Sequence, residues 1–511
     1  MTSNWQVENF LEVLDNKFHI DGIDSVDLAR EQGTPLFVVS ESRLRHNIDR
    51  LLRIGDVIDR PLKVCYAAKA MSTMGVLRAV REAGIDIEVN SGGELWKALK
   101  AGFRGDQINF NGNSKEVWEL ELAIENGIYA IQVDSLYELS LIAETAERLG
   151  KRANVSLRLV PEIESHTHSG LQTALLTSKF GMMPDEACAA FRQYKDSPHV
   201  AMNGIHLHVG SQNPDPQVYT DAFLSLFESL KLLQKETGTK LQHINVGGGF
   251  PVNYLGRGSG SEPWHAFCAR NPGGSEGAPP PEPPEQGMMT AEQIDLLSSD
   301  FEPADALQTA WDAVKDSAAG TNLLDDLTIL IEPGRSIIAD TTVCLTSVRN
   351  TKSRPTNAKL KTENGEHESS DRQGSQSSVL TSQFDNWLLT DAGFNILLSM
   401  ETYKWYYHLI SAERPNEPHE TPYKVAGPLC DGGDVYFDIE GQNRLPDHRL
   451  LPENVQPGEV LALLNCGAYS LAQASQYNGR FLPPVVLIRE NGEPELIRRR
   501  DTFEDLIASD L

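Results

Sequence analysis

The sequence predicts a parallel (β/α)8 TIM barrel followed by a C-terminal antiparallel β domain, an α/β plus all-β chain. Two observations carry that expectation. Short β-branched apolar runs ending in polar or Gly residues alternate eight times with stretches of helical apolar spacing, and beyond Ser336 this alternation gives way to closely spaced β-rich runs. A length of 511 residues, 40% apolar and 23% charged, leaves room for both modules and a large core.

Residues 1–45 are expected to pack with the β domain, because TPLFVVS (34–40) is an apolar run ahead of the first barrel strand and chain ends often meet. The barrel is expected over 46–340. Its strands are read in LKVCYAAK (62–69), IDIEVNS (85–91), QINFNGNS (107–114), IYAIQVDS (128–135), NVSLRLVP (154–161), NGIHLHVGS (203–211), HINVGGGFP (243–251) and LTILIEPGRS (327–336). Between them, GGELWKALKAG places Leu95, Ala98 and Leu99 on one helix face, and YELSLIAETAERLG does the same with Leu139, Ile142, Ala146 and Leu149. Eight such units suit a closed barrel better than a doubly wound open sheet, which needs a switch point. The β domain is expected over 341–511, in TTVCLTSV, NWLLTDAG, YKVAGPL, EVLALLN and PPVVLIRE. Two insertions read as surface loops: a Gly/Pro-rich one near 256–290 and a polar one near 351–379.

Composition narrows the function. Lys and Arg number 45 against 72 Asp and Glu, a net charge of -27 that repels phosphate backbones and anionic lipid, so neither nucleic acid nor membrane is an expected partner. No run of 18 to 20 apolar residues occurs, and MTSNWQVENF lacks the layout of a signal peptide, which points to the cytoplasm. Cys65, Cys188, Cys268, Cys344, Cys430 and Cys466 are scattered without metal-type spacing and read as reduced thiols, with no resident metal expected.

In a (β/α)8 barrel the loops after the strands converge on one mouth, so the tail of each run is where chemistry gathers. Lys69 ends the first run, hemmed by Tyr66, Ala67 and Ala68, and desolvation there is expected to lower its pKa as an imine-forming amine requires. Glu88 lies in the second run. Gly247, Gly248 and Gly249 after the seventh run, with Gly334 and Arg335 after the eighth, combine bare backbone amides with a forked cation, as a phosphate cradle needs. A lysine beside a phosphate site suggests pyridoxal 5'-phosphate, and Glu332 is then placed to keep the pyridine nitrogen protonated. Of His206 and His208, one is expected inside the barrel and the other toward the helices.

The chain resembles the fold type III pyridoxal phosphate enzymes that include diaminopimelate and ornithine decarboxylases. The resemblance spans about residues 34–486 and rests on YAAKA (66–70), EVNSGGEL (88–95), NGNSK (111–115), SKFGM (178–182), HVGSQ (208–212), GGGFP (247–251), EPGRS (332–336), GPLCDGGDV (427–435) and CGAYS (466–470). It implies an alanine-racemase-like barrel and a homodimer with shared active sites. It further implies that Lys69 is the Schiff-base lysine, His208 stacks on the cofactor ring and Glu332 pairs with the pyridinium nitrogen. Ser211, Gly248, Gly249, Gly334, Arg335 and Tyr469 match phosphate-binding positions. Cys430 matches the acid that the neighbouring subunit supplies to Cα, Asp431 a substrate-facing acid, and Tyr403 the tyrosine of the Arg-Pro-x-x-Tyr stretch found in diaminopimelate decarboxylases. Ser399 and Met400 replace that Arg-Pro. A serine cannot stand in for a bidentate guanidinium, and Met400 stands where ornithine decarboxylases carry an acid, so the expected activity is decarboxylation at Cα of a specialised amino acid, such as a conjugated one. Alternatives are an amino-acid racemase of the same barrel type, an inactive decarboxylase-like regulator, and a zinc hydrolase built on His166, His168, His206, His208 and Glu332.

Overall fold

Strand residues that are apolar at every position must be covered on both faces, and a parallel barrel wrapped by helices does that. The computed structural model describes residues 10–160, 179–255, 289–297, 302–355 and 384–511. The chain opens on a small antiparallel sheet of β1 (Leu11–Leu14), β2 (Lys17–Ile20) and β3 (Ile23–Asp24), and then runs into β4 (Leu36–Ser40). The barrel follows: β5 (Leu62–Ala67), β6 (Asp86–Val89), β7 (Ile108–Phe110), β8 (Ala130–Val133), β9 (Ala153–Arg158), β10 (Val200–His206), β11 (His243–Asn245) and β12 (Thr328–Ile331). Every neighbouring pair is parallel, and β12 closes on β5 through Ile329–Leu62, Leu330–Lys63 and Ile331–Val64. All eight expected runs are therefore barrel strands, in the expected order.

The helices between them begin and end where local chemistry directs. Ser91 and Ser135 each accept a hydrogen bond from the backbone N–H three residues on, that of Glu94 and of Glu138, and so cap the helices Gly92–Ala101 and Leu136–Arg148. Leu95 and Ala98 of the first, and Leu139, Ile142 and Ala146 of the second, are buried as their spacing predicts. Burial of each such aliphatic side chain contributes roughly 1.5–3 kcal/mol.

A second sheet of nine strands contains β4 together with β13 (Thr342–Pro355), β14 (Phe384–Thr390), β15 (Leu409–Ser411), β16 (Thr421–Ala426), β17 (Arg449–Leu451), β18 (Val460–Leu463), β19 (Val485–Ile488) and β20 (Pro494–Arg498). β4 lies between β13 and β19, so the N-terminal strand does join this sheet. Alternate side chains of β4 serve two cores: Phe37 and Val39 join the barrel side, Leu36 and Val38 a smaller cluster with Phe18, Val343 and Val486. The sheet is mixed rather than wholly antiparallel. β4 runs parallel to β19 and β14 to β16, because the chain between the members of each pair is long enough to return to the same end.

The polar insertion begins later than expected. Residues 351–355 continue β13, where Thr351 pairs with Leu388 and Arg354 with Asp385. Residues 356–379, and 256–288 of the Gly/Pro-rich insertion, lie outside the described residues, as do His166, His168, Ser178 and Cys268. No helix among the described residues is long and apolar enough to cross a membrane.

Candidate active site

Lys69 sits where β5 ends in a single helical turn, Ala68–Ala70. The turn is pressed against the loop after β12: the Ala67 N–H donates to Pro333 O at 3.0 Å, and a side chain on Gly334 would lie 3.0 Å from Ala67 Cβ and 3.2 Å from Ala70 Cβ. The first and eighth barrel strand ends thus meet through Gly334, where a larger residue would be tightly pressed. Lys69 Nζ lies 3.9 Å from Glu88 Oε2, and Glu88 is wholly buried. This corrects the expectation of a depressed lysine. Burial does favour the neutral amine, but the charge of Glu88, joined by Tyr469 and Glu332, outweighs it and holds the Lys69 pKa above its ordinary value.

Beneath the lysine the barrel interior is polar. Asn109 on β7 and Asn111 just beyond its end are two positions apart and both reach Glu332 in the barrel interior, as Asn245 does from β11. Glu332 Oε1 accepts from the carboxamides of Asn109 and, at 2.7 Å, Asn245. Its Oε2 accepts from Asn111 at 2.9 Å, and Asn111 bridges to Glu88 Oε1 at 2.8 Å. Gln132 in turn donates to Asn109 Oδ1 at 2.8 Å. Burial, and then the negative charge of Glu88, push the Glu332 pKa up to about 7, against the opposing hydrogen bond from Asn245 and the Lys69 charge. Sequence reading assigned none of these amides a role. Their signal is a polar residue at an inward position of an otherwise apolar strand.

His206 and His208 both belong to the site, not to opposite faces, since residues two apart along extended chain point the same way. His206 Nε2 lies 3.5 Å from Glu332 Oε2, and His208 Nδ1 accepts the Gly248 N–H at 3.1 Å. Burial, followed by nearby positive charges, holds both imidazoles well below the usual histidine range, so both are neutral.

The opposite side of the mouth is a cationic cradle. The Arg335 guanidinium is buried, donates to Ser211 Oγ (3.2 and 3.3 Å) and Tyr254 OH (3.0 Å), and is flanked by the rings of Trp405 at 4.3 Å and Tyr469 at 4.9 Å. Among the described residues no carboxylate lies within 4.0 Å of it, and the Ser336 hydroxyl is buried without a hydrogen-bond partner. A buried cation matched only by hydroxyls and rings suits an incoming anion. The glycines keep the approach open to backbone. Gly249 has φ +97°, and a side chain there would meet Gly210 O at 2.6 Å; one on Gly248 would meet Glu332 O at 2.3 Å. Tyr469 comes from the second sheet with φ +59°, its N–H donating to Ala70 O at 2.9 Å beside the lysine turn.

The structure therefore gathers Lys69, Glu88, His208, Ser211, Gly248, Gly249, Glu332, Gly334, Arg335 and Tyr469 around one mouth. The other three expected residues are held by loops of the second sheet. Cys430 is exposed, with its N–H donating to Asn478 at 2.7 Å. Asp431 accepts from Tyr477 OH at 3.2 Å, and Tyr403 is half-buried at the end of the short helix Leu398–Thr402. An amine, an anion cradle and a buried carboxylate at one barrel mouth fit a phosphorylated pyridine aldehyde.

Comparison with known proteins agrees. Residues 45–264 match the family model described as the pyridoxal binding domain of pyridoxal-dependent decarboxylases. The chain is 30% identical over 507 residues to a diaminopimelate decarboxylase of Methanocaldococcus jannaschii, covering 98% of this chain and 96% of that one. It is 31% identical over 488 residues to that of Methanothermobacter thermautotrophicus, covering 96% and 94%. The crystal structure of the M. jannaschii enzyme superposes with a TM-score of 0.76 at 29% identity, covering 98% of each chain. With that likeness along its whole length, the chain belongs to the fold type III pyridoxal-phosphate decarboxylases and is a pyridoxal-phosphate-dependent amino-acid decarboxylase.

Proposed function

We propose that this enzyme decarboxylates, at Cα, an amino acid whose distal end differs from that of diaminopimelate. The observation that carries this is Ser399: where relatives of the resembling type place an arginine for a distal carboxylate, the position is a buried serine beside buried Met400, followed by a Glu401–Lys404 ion pair of 2.8 Å. None of these offers a distal carboxylate a free guanidinium fork. A conjugated or otherwise modified amino acid suits the pocket better. The full-length likeness to diaminopimelate decarboxylases favours diaminopimelate itself as the second reading.

In this proposal Lys69 Nζ would hold the cofactor's aldehyde carbon, and the Glu88 carboxylate, 3.9 Å away, would keep the lysine ammonium near when it is free. Arg335, Ser211, Tyr469 and the backbone at Gly248, Gly249 and Gly334 would hold the cofactor's phosphate. His208 would support the ring, and Glu332 would hold a proton at its nitrogen. Bound pyridoxal phosphate supplies an electron sink for the charge left at Cα when the carboxylate departs. Cys430 of a second subunit returns a proton to Cα, and Asp431 with Tyr403 contacts the substrate's far end, so that two chains share each site. We place the enzyme in the cytoplasm, where the unpaired cysteines among the described residues would remain reduced.

The test is carbon dioxide release from a panel of diaminopimelate, lysine, ornithine and N-acylated or otherwise conjugated diamino acids. The proposal expects diaminopimelate to be a poor substrate and the Ser399→Arg variant to raise its kcat/KM about tenfold. Diaminopimelate as the best substrate of the unaltered enzyme would overturn it in favour of the second reading.

A further inference from the structure

His206 is 1% exposed, and neither ring nitrogen has a hydrogen-bond partner. A buried imidazole without partners costs free energy unless it has a task. Its Nε2 lies 3.5 Å from Oε2 of Glu332, the carboxylate whose ionisation the reaction needs, and among the described residues that oxygen accepts only from Asn111. The other oxygen already has two donors, Asn109 and Asn245. The carboxylate is thus one donor short on the His206 side.

We propose that His206 is a positioning residue for the decarboxylation: as the neutral tautomer protonated at Nε2, it donates to Glu332 Oε2 and holds that carboxylate ionised opposite the cofactor's ring nitrogen. This rests on the reading of Glu332 as the ring-nitrogen partner. The titratable groups facing the pair are Lys69 and Cys65 of the first strand and its turn, Glu88 of β6, Arg158 of β9, His208 beyond β10 and His243 of β11. Burial, aided by the positive charges of Arg158 and Lys69, keeps His206 uncharged, so it acts by donation and not as an ion. His208 has a different task at Gly248. Without the His206 donor, Glu332 retains its proton to higher pH.

Two substitutions separate donation from space-filling. His206→Gln places an amide N–H at the level of Nε2, whereas His206→Asn, equally polar, places it at the level of Nδ1, short of Glu332. Carboxyl infrared absorption of the cofactor-free protein, taken as a difference against Glu332→Gln, reads Glu332 ionisation directly. The visible spectrum of the cofactor-loaded enzyme against pH reads its consequence. His206→Asn should move both midpoints up by about one pH unit and lower kcat about tenfold with little change in KM, while His206→Gln stays within about twofold of the unaltered enzyme. Equal midpoints in the Asn variant and the unaltered enzyme, or equal displacement in the Asn and Gln variants, would overturn the assignment. If Glu332→Gln itself leaves spectrum and turnover unchanged, the role of Glu332 falls, and the inference with it. If Glu332→Gln impairs both while the His206 variants do not, only the inference falls.

Discussion

Lys69 keeps its proton in the cofactor-free protein because Glu88 stands 3.9 Å away in a buried position, a fact that no reading of the YAAKA motif alone could supply. The residue was legible because it ends a strand; its charge state was not, because the partner comes from the next strand. Lys69→Ala should reduce turnover at least about a thousandfold, read as carbon dioxide release. Cys430→Ala should slow Cα protonation about ten- to a hundredfold and divert product toward transamination, and an unchanged product profile would remove Cys430 from that role. Glu332 makes a sign-definite prediction. Its folded pKa is raised from 4.5 to about 7, so the stability it contributes is full below pH 4.5 and is lost as pH rises through 7. Thermal unfolding of the cofactor-free protein should show Glu332→Gln gaining on the unaltered chain across that window, and a constant difference would contradict the raised pKa. The supporting amides Asn109, Asn111 and Asn245 escaped sequence reading because one asparagine in an apolar run reads equally well as a strand end.

At the scale of elements, the eight barrel strands were legible from periodicity, whereas β1, β2 and β3 near the N-terminus and β15, β17 and β20 in the second sheet were missed, and the last three show why. β15 and β17 have three residues each, too few for a period of two to register, and β20 is an exposed strand at one end of the sheet. β13 ran past its expected end because polar, exposed Thr351–Arg354 is held by cross-strand pairing and not by burial. The glycine cradle makes its own prediction. Gly249→Ala would force a side chain into a left-handed backbone 2.6 Å from Gly210 O. Strain of about 1–3 kcal/mol should raise the cofactor dissociation constant about tenfold, measurable by fluorescence titration; an unchanged constant would place the phosphate elsewhere.

At the scale of the whole molecule, the barrel supplies the lysine, the acid layer and the arginine, while the second sheet supplies Trp405 and Tyr469 to flank that arginine. Sequence reading found both modules, but parallel pairings in the second sheet depend on long returns of the chain that local patterning does not encode. The loop bearing Cys430 and Asp431 is exposed and makes contacts with Asn478 and Tyr477, as a loop destined for a second copy's site would. Mixing the impaired Lys69→Ala and Cys430→Ala chains should then raise activity to about a quarter of native, since half of random dimers carry one intact site of two. No recovery after subunit exchange would contradict shared sites. The most direct test of the account is peptide mass spectrometry of the cofactor-loaded enzyme after borohydride reduction. The account predicts the pyridoxyl phosphate mass on Lys69 and its absence from Lys69→Ala; the mass on another lysine, such as Lys115, or on none would contradict it.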